Sequence, residues 1–591
     1  MRYSGSIFVH MNTIQGRYLP CSSIPMLNRL LKVFVFICGS SFIIQAQTDV
    51  AKTFSDAVSR LKKDPLKIYG GLDLMGQYYQ SKNLTAYFPD LTYRAMAQLQ
   101  LDFLGIQAPF SFIYSNGNSI YHLPSYAFAG ISPAYKWATL HLGDRSMELS
   151  PYTLSGHQFR GIGFELKPGR WRLSAMYGRL KRAVAEDFLA LQGLDPSFKR
   201  MGWGIKAGYE TDNEKIGLTL FHAQDQESSI PLLAHTSTVQ PAENLACALQ
   251  TFKKMGPWTA QFEYTYSLYS RDTRNVITDE TNYTHHILGL FTPRFSSAYR
   301  NAFLTRINFN TKKAVIGLQF DHVDPGFRSL GTLYFQDDYE NYTIHGKFNA
   351  LKNKLTVALQ SGIQRNYLEK NESNQMLRGI GSAQINFVPV QNFQWQVQWS
   401  NISNTVRFRN NLNPNQPLDS LYLVSTQSQA GTTMMYNWGA AQESGLIMTV
   451  QYQKGHTIVN DAINKDVTNF LFAQTAYTYR AGKAWNINLG IQYTQNTFQE
   501  LDQYTIGPSV QYQHSFLNNK ISSAISAVDQ EIFSDRVHSH RVINLMWMST
   551  YQVSNKNQIY LRVNHRNRNV FNDKNKNSRD LITELGYSLK I

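Results

Sequence analysis

The sequence predicts an all-β fold: a large antiparallel transmembrane β-barrel of about 26 strands, within a range of about 22–26. Three observations predict it. Apolar and polar residues alternate with period two through almost all of the chain after residue 66. The alternating runs are about 10–14 residues long, whereas globular strands average 5–6. Short connections and long polar ones take turns along the chain, the pattern of short periplasmic turns and long extracellular loops.

Composition agrees with this class. The 591 residues hold 57 Lys+Arg and 41 Asp+Glu, a formal charge of +16, yet only 17% are charged, below the usual quarter. Aromatics reach 13%, which excludes a disordered chain. Low charge with abundant Tyr, Asn and Gln argues against a cytoplasmic enzyme. Cys21, Cys38 and Cys247 cannot build a disulfide framework or a cysteine zinc site.

Residues 1–46 read as a signal-peptide region. Arg29 and Lys32 precede the apolar stretch Val33 to Ile44, which ends at Ile44-Gln45-Ala46. That stretch is short of the ~20 apolar residues needed to span a bilayer, and Met26 is an alternative start. Cleavage after Ala46 removes Arg2, Arg17, Arg29 and Lys32, so +16 less four leaves +12, with Cys247 as the one remaining cysteine. Residues 47–66 form a short periplasmic segment. Val50, Phe54, Val58 and Leu61 fall at helical spacing, and the segment is far too small to serve as a plug domain.

The barrel occupies residues 67–591. In Phe393-Gln394-Trp395-Gln396-Val397-Gln398-Trp399 one face is apolar and the other is glutamine. Trp485 to Thr494, Ile559 to Asn564 and Phe303 to Asn310 repeat the pattern. Turns include Lys167-Pro168-Gly169-Arg170, Lys254-Met255-Gly256-Pro257 and Arg480-Ala481-Gly482-Lys483; long loops include 182–199, 226–243, 271–299, 323–339 and 405–426. Proline and glycine interrupt residues 107–157, and the count falls to 22 or 24 if those segments lie in the lumen. An even number returns both ends of the barrel to the periplasm. No later run of 18 apolar residues occurs, and a sheet crossing hydrocarbon must close on itself to pair every backbone group.

The final strand carries a second address. Glu584, Gly586, Leu589 and Ile591 fit polar-x-Gly-x-x-apolar-x-apolar at the C-terminus. This resembles the signal read by the barrel assembly machinery, with Ile591 in place of the commoner aromatic. Ser150-Pro151-Tyr152-Thr153-Leu154-Ser155-Gly156-His157 running on to Tyr177-Gly178-Arg179-Leu180, Val323-Asp324-Pro325-Gly326-Phe327-Arg328-Ser329-Leu330-Gly331, and the ending Gln45-Ala46-Gln47 resemble uncharacterised outer-membrane barrel proteins of the Bacteroidota. The two longer stretches cover under a tenth of the chain. The resemblance implies a location in the cell outer membrane and a fold, and no site residues.

At about 4.8 Å per strand and a tilt of about 40°, 26 strands span a circumference of roughly 160 Å. So wide a lumen requires filling or flattening. Ala183 to Gln192 reads as a helix ending at Gly193, and loop 271–299 holds the apolar run Ile287-Leu288-Gly289-Leu290-Phe291. These two loops are the expected fillers, or docking points for a partner protein.

The inward face is expected to be Asn, Gln, Ser, Thr and Tyr, with Arg172, Arg306, Arg562, Arg566 and Arg568 as a basic face that favours anions. The expected function is a pore or transporter for polar, anionic solutes, its lumen partly filled by loops. The alternative is a non-conducting scaffold or secretion and assembly partner, with another protein held in its lumen or loops. Outer-membrane lipid and lipopolysaccharide are expected partners, and nucleic acid is not. No cofactor, metal site or catalytic residue is expected. No Gly-x-Ser-x-Gly occurs, and the histidines show no catalytic arrangement. His538 and His540 read as sharing one strand face near Glu531 and Asp535. His285-His286 and the Asp337, Asp338 and Glu340 turn read as polar surface.

Overall fold

The computed structural model describes residues 66–82, 90–116, 127–185, 196–230, 239–278, 289–332, 336–366, 368, 376–408, 421–439, 443–459, 462–463, 468–482, 485–498 and 501–591. The expected signal region, the helical spacing in 47–66, most of the expected helix at 183–192 and the pair His285-His286 lie outside the described residues.

Period-two alternation yields strands throughout. They are β1 (Lys67–Lys82), β2 (Leu91–Phe103), β3 (Ile106–Ser115), β4 (Ala127–Ile131, resumed at Ala134–Tyr135), β5 (Ala138–Ser146), β6 (Gln158–Leu166) and β7 (Trp171–Lys181). Then come β8 (Lys199–Glu210), β9 (Glu214–Gln226), β10 (Glu243–Met255), β11 (Trp258–Ser270), β12 (Ser297–Asn310), β13 (Ala314–Val323), β14 (Tyr339–Ala350), β15 (Leu355–Asn366) and β16 (Met376–Val390). The set ends with β17 (Phe393–Phe408), β18 (Leu421–Trp438), β19 (Ser444–Val459), β20 (Thr468–Ala481), β21 (Trp485–Phe498), β22 (Leu501–Phe516), β23 (Ile521–Ser534), β24 (Val537–Gln552), β25 (Asn557–Val570) and β26 (Ser578–Lys590).

Each strand pairs antiparallel with its neighbours in sequence, and β26 pairs β1 from Gly71↔Lys590 to Lys82↔Arg579. The sheet is a closed barrel of 26 strands, with no free edge. The interrupted region keeps its strands, so the count does not fall to 22 or 24. Pro133 has no N–H for the ladder and breaks β4 after Ile131. Gly143, at φ +85°, lets β5 approach β4 so closely that a Cβ would stand 2.3 Å from the Ala129 carbonyl oxygen.

One face of the wall is apolar and the other polar. Leu218 is 62% exposed, Leu318 60% and Leu585 58%, all on the outward face. An apolar surface this extensive is unsuited to water and suited to hydrocarbon.

The ends differ. At one end the chain turns tightly, as at Leu104-Gly105, Gly256-Pro257 and Leu517-Asn518-Asn519, helped by left-handed φ values. At the other end most connections are long. Two exceptions there are the connections at 499–500 and 535–536, where Phe498 pairs Leu501 and Ser534 pairs Val537.

Two of the long loops enter the lumen. In the β5–β6 loop, Met147, Leu149 and Leu154 pack on the inward side chains Phe159, Met176, Leu180, Phe221 and Ala223. In the β13–β14 loop, Phe327 joins Tyr152, Ala302 and Val323. The loops meet in a parallel bridge, Gly331↔Leu154 and Thr332↔Ser155.

The expectation that loop 271–299 fills the lumen is overturned. Its Phe291 packs on Leu245 and Leu268, beside Leu220, Tyr266 and Tyr299. Leu220 pairs Ile205, which is outward and 51% exposed. The described part of this loop therefore lies against the outside of the barrel, where an apolar row was available to receive Phe291.

Candidate functional site

The loop pair is held to the inner wall by buried polar bonds. Ser150 Oγ donates to Glu263 Oε1 at 2.5 Å, and Gln250 Nε2 donates to Glu263 Oε2 at 2.9 Å. Lys206 Nζ donates to the Leu149 carbonyl at 2.6 Å. Asn244 is fully buried: its Nδ2 donates to Ser267 Oγ at 2.8 Å, and its Oδ1 accepts the Leu330 N–H at 3.2 Å. Ser267 Oγ donates to the Arg328 carbonyl at 2.5 Å, and Ser329 Oγ donates to the Thr153 carbonyl at 2.5 Å. Tyr152 stacks edge-on against Phe327 at 6.3 Å. Burial pushes its phenol well above the usual range, so it stays protonated. Of these residues, Ser150, Tyr152, Thr153, Phe327, Arg328, Ser329 and Leu330 lie in the two stretches singled out by resemblance, and the fold joins the stretches.

The packed wall belongs mainly to β6–β14. Between Met376 and Asn577 the buried described side chains are Ser400, Ser444 and Val542. There the inward rows are carboxamides and hydroxyls that remain open to water. One row reads Asn386, Gln396, Thr433, Thr449, Gln474 and Gln492 across successive strands. The lumen thus has a filled side and an open, mostly neutral side.

All five expected arginines face inward, but they are not equivalent. Arg172 Nε donates to Glu210 Oε2 at 2.9 Å, and Lys215 shares that carboxylate at 2.6 Å. Arg562 pairs Glu584 at 3.2 Å, and Arg566 stands opposite Asp580 in the register. Arg568 stands opposite Val542 and Ser578. Arg306 donates only to a neutral group, Gln319 Oε1 at 2.8 Å.

Two recesses in the inner wall show the consequence. The larger, about 680 Å³, is lined by Glu148, Glu165, Glu210 and Asp212 together with Arg172, Lys206, Lys215 and Lys254, so its charge balances. The second, about 520 Å³ across β12–β18, is lined by Arg306, His345, Lys347 and the glutamines 319, 360, 384, 398 and 429, with no carboxylate. Lys347, His345 and, apart from Gln398, these glutamines were not singled out from sequence. Their signal was the glutamine alternation itself, which gives facing but not register.

The outward face carries an aromatic band near each end. At the turn end, Trp171 meets Tyr209 at 5.5 Å, Trp258 meets Phe309 at 4.9 Å and Tyr479 meets Trp485 at 5.6 Å. At the loop end, three outward histidines stack on aromatics: His222 on Trp203 at 5.7 Å, His322 on Phe303 at 4.9 Å and His538 on Phe533 at 4.7 Å. Each lies within ion-pair reach of a glutamate that also meets an arginine: Glu243 with Arg294, Glu340 with Arg365 and Glu531 with Arg541. Apolar rows bounded by aromatic girdles are the outer profile of a transmembrane barrel.

The reading of His538 and His540 as one-sided is corrected. A bulge at Ser539 shifts the register between Ile532↔His540 and Phe533↔His538, so His538 faces out and His540 faces in. The acidic turn is also dispersed. Asp337 accepts the Gly326 N–H, Asp338 accepts the Leu368 N–H, and Glu340 accepts Tyr342 Oη. Among the described residues, no three His, Cys, Asp or Glu side chains could hold a metal ion.

The C-terminal strand alternates between the two faces. Leu585, Tyr587 and Leu589 lie outward, Glu584 and Gly586 inward, and the Ile591 N–H donates to the Gly70 carbonyl at 2.9 Å. The Gly586 backbone lies under the Tyr560 ring, where a Cβ would stand 2.2 Å away.

No family model and no curated protein matches the sequence. Solved structures similar to it include the P pilus usher (PapC) translocation pore, at 10% identity over 89% of this chain and 100% of that one, TM-score 0.40. The FrpB iron transporter from Neisseria meningitidis (F3-3 variant) matches at 10% over 90% and 83%, TM-score 0.35. The copper transporter OprC matches at 9% over 88% and 80%, TM-score 0.37. None of them says what this chain carries.

Proposed function

We propose that this protein is an outer-membrane conduit, a pore or transporter for polar solutes, anions among them. The observation that carries the reading is the two-sided lumen. Loops 147–157 and 324–338 pack one side of the wall, while the inward amides of β15–β25 stay accessible. A scaffold with nothing to pass gains nothing from an open, water-facing wall of hydrogen-bonding groups. A partly filled lumen narrows a hole that would otherwise breach the permeability barrier. The long-loop end is extracellular and the tight-turn end periplasmic.

The test is conductance of the purified full chain in planar bilayers. Stable steps are expected, and replacing residues 148–156 with a short Gly-Ser linker should enlarge them. Silence of both forms, with heat-modifiable folding intact, sinks the conduit and leaves the scaffold reading.

A further inference from the structure

We propose that the carboxylate-free recess on β12–β18 is a binding subsite for an acidic sugar: a polyhydroxylated solute carrying a carboxylate. The inference rests on the conduit reading and names its substrate class. Among the described residues several inward cations elsewhere are neutralised: Arg172 and Lys215 by Glu210, Arg200 by Asp225 and Arg562 by Glu584. Arg306 and Lys347 form no ion pair among the described residues, yet they share one recess of about 520 Å³. Placing two cations together without an acid costs repulsion, and an incoming anion relieves it. Gly317 lies between them on β13, in register with Asn308 and His345, and its missing side chain makes room for the 2.8 Å hydrogen bond from His345 Nε2 to Asn308 Oδ1 between the two cations.

The rest of the lining selects among anions. Gln360, Gln384, Gln398 and Gln429 each offer an amide donor and acceptor. Such groups match the paired donor and acceptor character of sugar hydroxyls. They add little to a bare inorganic ion, and an aliphatic acid would leave them unpaired. The carboxylate would sit against Arg306 and Lys347, with the hydroxyls along the glutamines.

Equilibrium binding by calorimetry to the detergent-solubilised full chain tests this without requiring conductance. The probes are trigalacturonate, the uncharged maltotriose and inorganic phosphate. Trigalacturonate should bind at least 10-fold more tightly than either of the others, and more weakly in 1 M salt. Arg306→Gln with Lys347→Gln should remove that advantage while heat-modifiable folding stays intact. Gly317→Leu, whose side chain would displace Asn308 and His345 into the space between the two cations while keeping both, should do the same. Overturning results are equal binding of trigalacturonate and maltotriose, phosphate displacing trigalacturonate at equal concentration, or unchanged affinity in both variants. Binding with silent bilayers overturns the conduit and keeps the site; conductance without binding does the reverse.

Discussion

Trp395 shows how one residue reports its surroundings. It lies on the outward row of β17, and its indole N–H, which hydrocarbon could not satisfy, donates to Thr432 Oγ1 at 2.8 Å. Val397 shares that outward row, and Gln396 faces in beside Asn386 and Thr433. Val397→Arg should therefore cost roughly 2–4 kcal/mol, the penalty for a cation near the bilayer midplane. Gln396→Arg should be far milder. Urea unfolding of the two variants in lipid vesicles checks this, and equal costs would reverse the facing of β17. Facing of this kind was legible in the alternation. Partnership was not. Arg562 meets Glu584 across a hairpin, 22 residues away, and alternation carries no register. His538 and His540 were misread for a related reason, since a bulge is a single extra residue that leaves no mark on composition.

Among the loops, length and an apolar run selected the wrong inward element. The described part of loop 271–296 found an apolar row outside the barrel, whereas the loops that enter combine a few apolar side chains with small polar residues bonded to the wall. Asn244 is the main anchor of the second loop, reaching Ser267, Leu268 and Arg328 through Nδ2 and Leu330 through Oδ1. Asn244→Ala leaves the half-buried Leu330 N–H without its acceptor and should loosen that loop by about 1 kcal/mol. Limited proteolysis after Arg328 should then accelerate while the barrel stays heat-modifiable. An unchanged cleavage rate would show that the apolar contacts of Phe327 suffice.

Acid should act on the same loop. Burial pushes the Asp324 carboxyl up, but bonds from His322 and from the Asn301 backbone and side chain outweigh it and hold the group below the usual range. A carboxylate depressed in the folded state stabilises above its unfolded value, about 3.9, and loses that contribution as pH falls through the lower folded value. Loop protection from hydrogen exchange should therefore be level from pH 7 to about 5 and fall below about pH 4. Asp324→Asn should show the reduced protection at every pH.

At the scale of the whole barrel, closure and lumen charge are the properties that no single strand holds. Deleting residues 584–591 strips β26 of half its ladder with β25 and more than half of that with β1, and exposes two edges. Membrane fractions should then lack heat-modifiable barrel. Normal levels would mean that β1 and β25 close without it.

Selectivity follows from which cations remain unpaired. The inward arginines were expected to act as one basic face, but Glu210 and Glu584 take up the charge of Arg172 and Arg562. Arg306 and Lys347 line a recess without a carboxylate and form no ion pair among the described residues. Screening acts over about 10 Å at 0.1 M salt and about 3 Å at 1 M. In a lumen many ångströms wide, a conducting barrel should thus prefer anions at 0.1 M and lose the preference at 1 M. Arg306→Gln with Lys347→Gln should lower the anion preference, and Arg562→Gln with Arg566→Gln should lower it too, because the second pair leaves Glu584 and Asp580 unopposed. Reversal potentials under a salt gradient decide it. Cation preference in the unaltered protein, or an unchanged reversal potential after Arg306→Gln with Lys347→Gln, would mean that these two cations do not set the charge of the path.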